Sequence, residues 1–240
     1  MEPAVVEISN NALTAKNGFK AEKVFRTQVI IRVALEQFFG KRIVRMEAIH
    51  KKKYDTIIHF EDGTNTKIQN KKIQDLDGRG DSFDRRDIEN TIDDPLILSG
   101  MRELILTRRD QLTLEEKKTL ENNCNGNKKE IENYLKKTLC GPDNEENDYF
   151  CIMKTDGTFT NMEIYMISTQ KLFDYLKKNI AIRVCNTCLH LSKNIYLQRK
   201  GGGSKDKAPD DIQAKFTINQ DIINLCDKVT TILTIKLPKH

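Results

Sequence analysis

An α+β fold, with helices and strands mixed along the chain, is what the sequence predicts, and three observations carry that reading. Residues 19–39 repeat apolar side chains at helical spacing, placing Val24, Ile31, Leu35 and Phe38 on one face, and Gly40 follows as a stop. Runs with β-branched content then occupy 42–49 and 56–60 and continue toward Lys72. Two Asp-Gly pairs, Asp62-Gly63 and Asp156-Gly157, stand between such runs, where a tight hairpin turn requires a residue that tolerates positive φ.

Taken in order, Thr14 or Asn17 can cap the first helix, whose apolar face should pack on a sheet. Ile43, Val44 and Ile49 mark the first strand. The hairpin follows: Thr56-Ile57-Ile58-His59-Phe60, a turn Glu61-Asp62-Gly63-Thr64, and a return run ending Ile68-Gln69-Asn70-Lys71-Lys72. If Phe60 faces Thr64 across a three-residue loop with Gly63 left-handed, Asp55 stands opposite Gln69 with Lys71 beside it. A two-residue loop would set Asp55 against Asn70 and turn Gln69 and Lys71 to the other face. A glycine-assisted bulge selects the first register.

Asp75 to Ser82 reads as a glycine-broken polar loop, with a helical stretch from near Asp84 and another over 99–109. Thr113-Leu114-Glu115-Glu116 has the pattern of a capping box, in which the first and fourth side chains satisfy each other's backbone N–H. A helix over 127–139 follows, with Asn122 to Asn127 as the loop before it. Residues 141–148 look like a surface linker. Beyond them the pattern gives a second hairpin (149–153 and 159–167), a helix over 168–179, strands over 181–190 and 194–199, and strands over 212–218 and 229–236 around a short helix at 220–227. This divides the chain into a core over 1–110, a helical connection over 111–147 and a β-rich part over 148–240.

A chain of 240 residues with 38% hydrophobic content can bury a core of one or two domains. Forty Lys and Arg against thirty-five Asp and Glu leave a formal charge of +5, which permits a polyanionic partner without demanding one. The first residues lack a basic stretch followed by a long apolar run, and no later stretch approaches eighteen apolar residues. The expectation is a soluble, cytoplasmic protein without membrane association, in which six cysteines remain thiols. Abundant Asn, Lys and Ile suit an AT-rich genome, bacterial or viral.

In the first of the two registers, one acid, one amide oxygen and one ammonium crowd a single patch. Phosphodiester hydrolysis needs a hard cation held by oxygen ligands, to neutralise the phosphate and to acidify the attacking water. Asp55 offers a carboxylate, Gln69 an amide oxygen and Asn70 its backbone carbonyl, while Lys71 can hold the water or meet charge developing on phosphorus. A bare pair of surface charges on an exposed hairpin would share this spacing.

The order of helix, strand, Asp55 strand and Gln69-Asn70-Lys71 strand resembles the PD-(D/E)XK nuclease superfamily in its Gln-x-Lys variant. Thr14-Ala15-Lys16-Asn17-Gly18-Phe19-Lys20 with Glu22, Leu197-Gln198-Arg199-Lys200-Gly201-Gly202, and Ile212-Gln213-Ala214-Lys215-Phe216 resemble, in the same order, small type II restriction endonucleases. The group is the monomeric four-base cutters of the MspI/HhaI kind. The resemblance implies a restriction-endonuclease-like core with a central mixed sheet flanked by helices, a β-rich recognition part, and Mg²⁺-dependent cleavage of duplex DNA at a short palindrome by a monomer paired with a DNA methyltransferase. It implies Asp55 as metal ligand, Gln69 as ligand or water-holder, Lys71 as catalytic cation and Glu22 as auxiliary acid. Tyr54 stands where the family's proline would, and Gln69 where it more often has an acid.

Two basic segments suit contact with DNA. Arg79, Ser82, Asp84, Arg85 and Arg86 follow the Asp55 hairpin, and Arg donates two bonds to guanine while Asp accepts from cytosine. Gln198, Arg199, Lys200 and Lys205 surround the glycines 201–203, a composition fitted to phosphates and base edges. Each segment also reads as an ordinary solvated loop. Lys51-Lys52-Lys53 reads as a solvated edge.

Cys185-Asn186-Thr187-Cys188, with His190 two residues on, has the spacing of half a zinc site. No second Cys-x-x-Cys exists, although Cys140, Cys151 or Cys226 could complete four ligands in space. A buried strand carrying small apolar thiols fits the same residues.

Overall fold

The computed structural model describes residues 20–49, 54–74, 76, 81–87, 113–126, 128–141, 147–155, 161–185, 188–200 and 211–233. They form a mixed α+β structure in two compact units, each interrupted in sequence. The first gathers residues 1–74, 147–166 and 226–240; the second gathers 75–146 and 167–225. Among the described residues no helix is long and apolar enough to cross a membrane.

In the first unit, residues 20–27 (α1) and Val29–Phe39 (α2) are helical. The amphipathic stretch is thus two helices, because Gln28 is extended (φ −82°, ψ 122°) between them. Its N–H still reaches Val24, and its carbonyl accepts from Ile31 and Arg32, so the break strands few backbone groups. Gly40 closes α2 with φ 63°, the left-handed conformation that costs glycine least. The proposed caps Thr14 and Asn17 lie outside the described residues.

The helices cover a six-stranded sheet of order β1-β2-β3-β5-β6-β11, with β1 at Ile43–Ala48, β2 at Thr56–Phe60, β3 at Asn65–Ile73, β5 at Tyr149–Thr155, β6 at Asn161–Ser168 and β11 at Asp227–Leu233. β3 and β5 are parallel, while β1 with β2, β2 with β3 and β6 with β11 are antiparallel. Ala21, Val24, Phe25, Ile31 and Leu35 meet Ile43, Ile58, Ile68, Met153, Ile164 and Met166 in one core, which fixes the helix-facing side of β1, β2, β3, β5 and β6. Phe39 meets Phe60 edge-on at 5.3 Å and Tyr149 at 5.4 Å, anchoring the end of α2 over β2 and β5.

The second unit carries an antiparallel five-stranded sheet of order β4-β10-β9-β8-β7: β4 at Asp81–Asp87, β7 at Ile180–Val184, β8 at Cys188–Ser192, β9 at Ile195–Lys200 and β10 at Asp211–Phe216. Its helices are α3 (Leu114–Gly126), α4 (Lys128–Cys140), α5 (Thr169–Lys178) and α6 (Gln220–Leu225). The capping box forms as expected: Thr113 N–H donates to Glu116 Oε2 at 2.7 Å and Glu116 N–H to Thr113 Oγ1 at 3.2 Å. Ser168 caps α5 by accepting from Lys171 N–H.

Three expectations are corrected. The stretch near Asp84 is strand β4, because its backbone groups pair along β10 from Asp81↔Phe216 to Asp87↔Asp211. Asn122 to Gly126 continue α3, because Leu120 and Cys124 are buried one turn apart and hold the polar stretch in the helix. The run over 181–190 falls in two antiparallel strands, β7 and β8, brought together next to Cys185 N–H, which donates to the Cys188 carbonyl at 2.8 Å. The helix over 99–109, the 201–210 loop and the Asp156-Gly157 turn lie outside the described residues.

Candidate active site

The hairpin adopts the three-residue loop. Gly63 has φ 81°, its N–H donates to Phe60 O at 3.1 Å, and Phe60 N–H donates to Thr64 O at 2.9 Å. Asp62 holds the turn by accepting from Thr64 N–H at 2.9 Å and pairing with Lys41 at 2.8 Å. These bonds, Lys41 first and then Thr64, hold its carboxyl down at about 2. The pairs Thr56↔Ile68, Ile57↔Lys67 and Ile58↔Thr66 fix the register.

Continuing that register sets Asp55 across from Gln69. Asp55 N–H donates to the Ile68 carbonyl at 2.9 Å, and Asp55 Oδ2 accepts from Asn70 N–H at 2.8 Å, so its carboxylate is fastened to β3 beside Gln69. Because side chains alternate, Thr66, Ile68 and Asn70 take the helix-facing side and Lys67, Gln69 and Lys71 the other. Asn70 confirms the alternation, since its Nδ2 donates to Thr56 Oγ1 at 3.0 Å, beside Ile68. Its side chain therefore leaves the Asp55 face, and only its main chain remains there.

Gln69 is buried, and its Oε1 has no hydrogen-bond partner among the described residues. Four other buried side-chain atoms share that condition, namely on Arg26, Asn70, Thr138 and Asn194, so an orphan atom alone marks nothing. What distinguishes Gln69 is its place across from a carboxylate, on the same face of the sheet, with no N–H or O–H of the described residues meeting its amide oxygen. Burying an unpaired acceptor costs about 1 to 3 kcal/mol. A hard divalent cation held there would offset that cost, and the oxygen donors of Asp55 and Gln69 are of the kind Mg²⁺ takes.

Glu22 lies on α1, where Arg26 sits 3.6 Å from its carboxylate one turn away. Asp148, just before β5, has a role that sequence reasoning missed: its Oδ2 accepts from Lys67 N–H at 2.8 Å and Thr66 Oγ1 at 3.2 Å, pinning β3 to the strand parallel to it. A lone Asp at the end of a polar linker gives no signal of this.

In the second unit, the two basic segments become neighbours. β4 and β9 flank β10, so Arg85↔Gln213↔Gln198 form one cross-strand row and Arg86↔Ile212↔Arg199 the next. Gln198 Nε2 donates to Gln213 Oε1 at 3.3 Å. Gln213, buried at the middle of the first row, was visible in the sequence only as one residue of the Ile212–Phe216 motif. Arg79 and Lys205 lie outside the described residues, while Ser82 and Asp84 stand on β4 opposite Lys215 and Ala214.

No family model matches the chain, and no curated protein matches it. Among solved structures it is similar to the restriction endonuclease MspI in complex with its cognate DNA, at 15% identity and TM-score 0.47, over 86% of this chain and 80% of that one.

Proposed function

We propose that this protein is a Mg²⁺-dependent endodeoxyribonuclease that cuts duplex DNA at a short palindrome of about four base pairs. The observation that carries the reading is the buried, unpartnered Gln69 Oε1 across from the β3-fastened Asp55 carboxylate, with Lys71 next but one on the same strand face. Asp55, Gln69 and the Asn70 main chain would hold the ion, which when bound supplies charge neutralisation at the phosphate and a more acidic attacking water. Asp55 orients its carboxylate through Asn70 N–H. Lys71 contributes a cation for the charge that gathers on phosphorus, and Glu22 is the auxiliary acid.

Base reading falls to the β4–β10–β9 part of the second unit, where Arg85 and Gln198 supply the donor and acceptor patterns that distinguish guanine and adenine in the major groove, with the buried Gln213 between them positioning the Gln198 amide. Arg79, Arg86, Arg199, Lys200 and Lys205 add phosphate contacts. The protein acts as a monomer on one strand at a time and works beside a DNA methyltransferase that protects the host's own sites. The test is a digest of a plasmid of known sequence with Mg²⁺. Discrete bands whose ends map to one motif are expected. Cleavage confined to junctions or mismatches would replace the reading with a structure-specific nuclease, and binding without cleavage would reduce it to a DNA-binding module.

A further inference from the structure

We propose that the β7–β8 hairpin is a zinc site, with Cys185, Cys188 and His190 as its ligands, separate in residues and chemistry from the Asp55 site. The hairpin register places them together. Val184 pairs with Leu189 and Arg183 with His190, so the next step along the ladder sets Cys185 against Cys188. Directly paired residues of an antiparallel ladder share a face, which puts Cys185, Cys188 and His190 on one side and the buried Val184 and Leu189 on the other. The ligand atoms of the three all lie within 4.8 Å of one another, and among the described residues they are the one group of His, Cys, Asp or Glu so arranged.

The distances suit one shared ion. Zn–S of about 2.3 Å and Zn–N of about 2.0 Å at a tetrahedral angle separate a sulfur from a nitrogen by about 3.5 Å. Cys188 Sγ and His190 Nε2 are 3.4 Å apart. The hydrogen bond from Cys185 N–H to the Cys188 carbonyl at 2.8 Å presets the approach of the two cysteines before any metal arrives. All three residues are partly exposed, which leaves an entry path. Tyr196, across the next strand from His190, holds the imidazole with ring centroids 5.2 Å apart.

Soft thiolates and an imidazole select Zn²⁺ over a hard ion such as Mg²⁺. Binding exchanges two thiol protons, released to solvent, for one dication, so the filled site is close to neutral. Arg183 Nη2 lies 3.4 Å from His190 Nε2, so that contact gives way when the nitrogen takes the ion. Three protein ligands leave the fourth position to water. The consequence is a metal clip across the end of a hairpin whose other strand pairings run on toward Gln198 and Gln213.

The test uses the full chain purified without chelator. Elemental analysis should find about one zinc per chain, and cobalt exchanged for it should give a thiolate-to-metal absorption band. Cys185→Ser or Cys188→Ser should lower zinc affinity at least about tenfold, since even outer-shell partners of a metal cost that much. Asp55→Ala and Cys226→Ser should leave the zinc in place. As a readout needing no variant, alkylation of Cys185 and Cys188 in the wild-type chain should slow at least about tenfold with zinc, with Cys226 unaffected. Folded wild-type protein with only trace zinc and no cobalt band, or with a Cys185–Cys188 disulfide in its place, overturns the site.

Discussion

In the proposed site Gln69 would contribute a neutral oxygen where a second carboxylate would draw a divalent ion more strongly, and its neighbour Asp55 shares its carboxylate with a backbone N–H. Resting affinity for Mg²⁺ should therefore be weak without DNA, whose phosphate would supply a further oxygen ligand. Gln69→Glu adds a unit charge close to the ion, a gain of about 1 to 2 kcal/mol, or about tenfold in Mg²⁺ affinity by calorimetry on the DNA-free protein. Asp55→Ala and Lys71→Ala should each lower plasmid cleavage at least about a thousandfold, or about 4 kcal/mol of barrier, with circular dichroism unchanged and DNA binding largely kept. Unchanged cleavage in either removes the assignment. Asp62 gives a prediction in acid. Its folded pKa is depressed from 3.8 to about 2, so the stability it contributes is present above 3.8 and lost as pH falls toward 2. A carboxyl NMR titration should place its midpoint near 2, and Lys41→Ala should move it upward.

At the scale of elements, the hairpin decides which side chains meet, and its turn decides the register. Gly63 has open space around a notional Cβ, so Gly63→Ala meets only backbone strain, about 1 to 2 kcal/mol by chemical denaturation. Ser168→Ala removes the cap of α5 and should cost about 1 kcal/mol in the same measurement. Asp62-Gly63 and Thr113 to Glu116 were legible because each is closed by bonds within a few residues. The strand at Asp81–Asp87 was not: Asp, Ser and Arg have little preference for strands, and their ladder partners stand at 211–216, far along the chain. The helical run through Asn122 and Asn123 was hidden for the same reason. Its local propensity is poor, and burial of Leu120 and Cys124 supplies what propensity lacks.

Across the whole molecule, each compact unit draws on separated stretches, so the chain returns to the first sheet through β5, β6 and β11 after visiting the second unit. DNA binding by the basic segments should fall steeply with salt, each phosphate contact adding about 0.9 to the log–log slope. Substituting Arg199 and Lys200 by alanine should lower that slope by about 2 on any sequence. Arg85→Ala should instead cost about 1 to 3 kcal/mol of discrimination between the preferred site and a one-base variant. Filter binding over a salt series and over variant sites separates the two effects. A flat salt response would count against the basic segments.

By itself the sequence determined the α+β class, the hairpin with its register, the capping box and the grouping of Asp55, Gln69 and Lys71 on one face. Local bonds and a two-residue side-chain period suffice for all of these. Only the tertiary structure decided that β5 lies parallel to β3 with Asp148 as its pin, that β4 is a strand beside β10, and that Cys185, Cys188 and His190 share one face. Such pairings join residues far apart in the chain, or turn on where one strand stops and the next begins. Their free energy comes from ladders and burial that exist only once both partners are in place, so no stretch of sequence announces them alone.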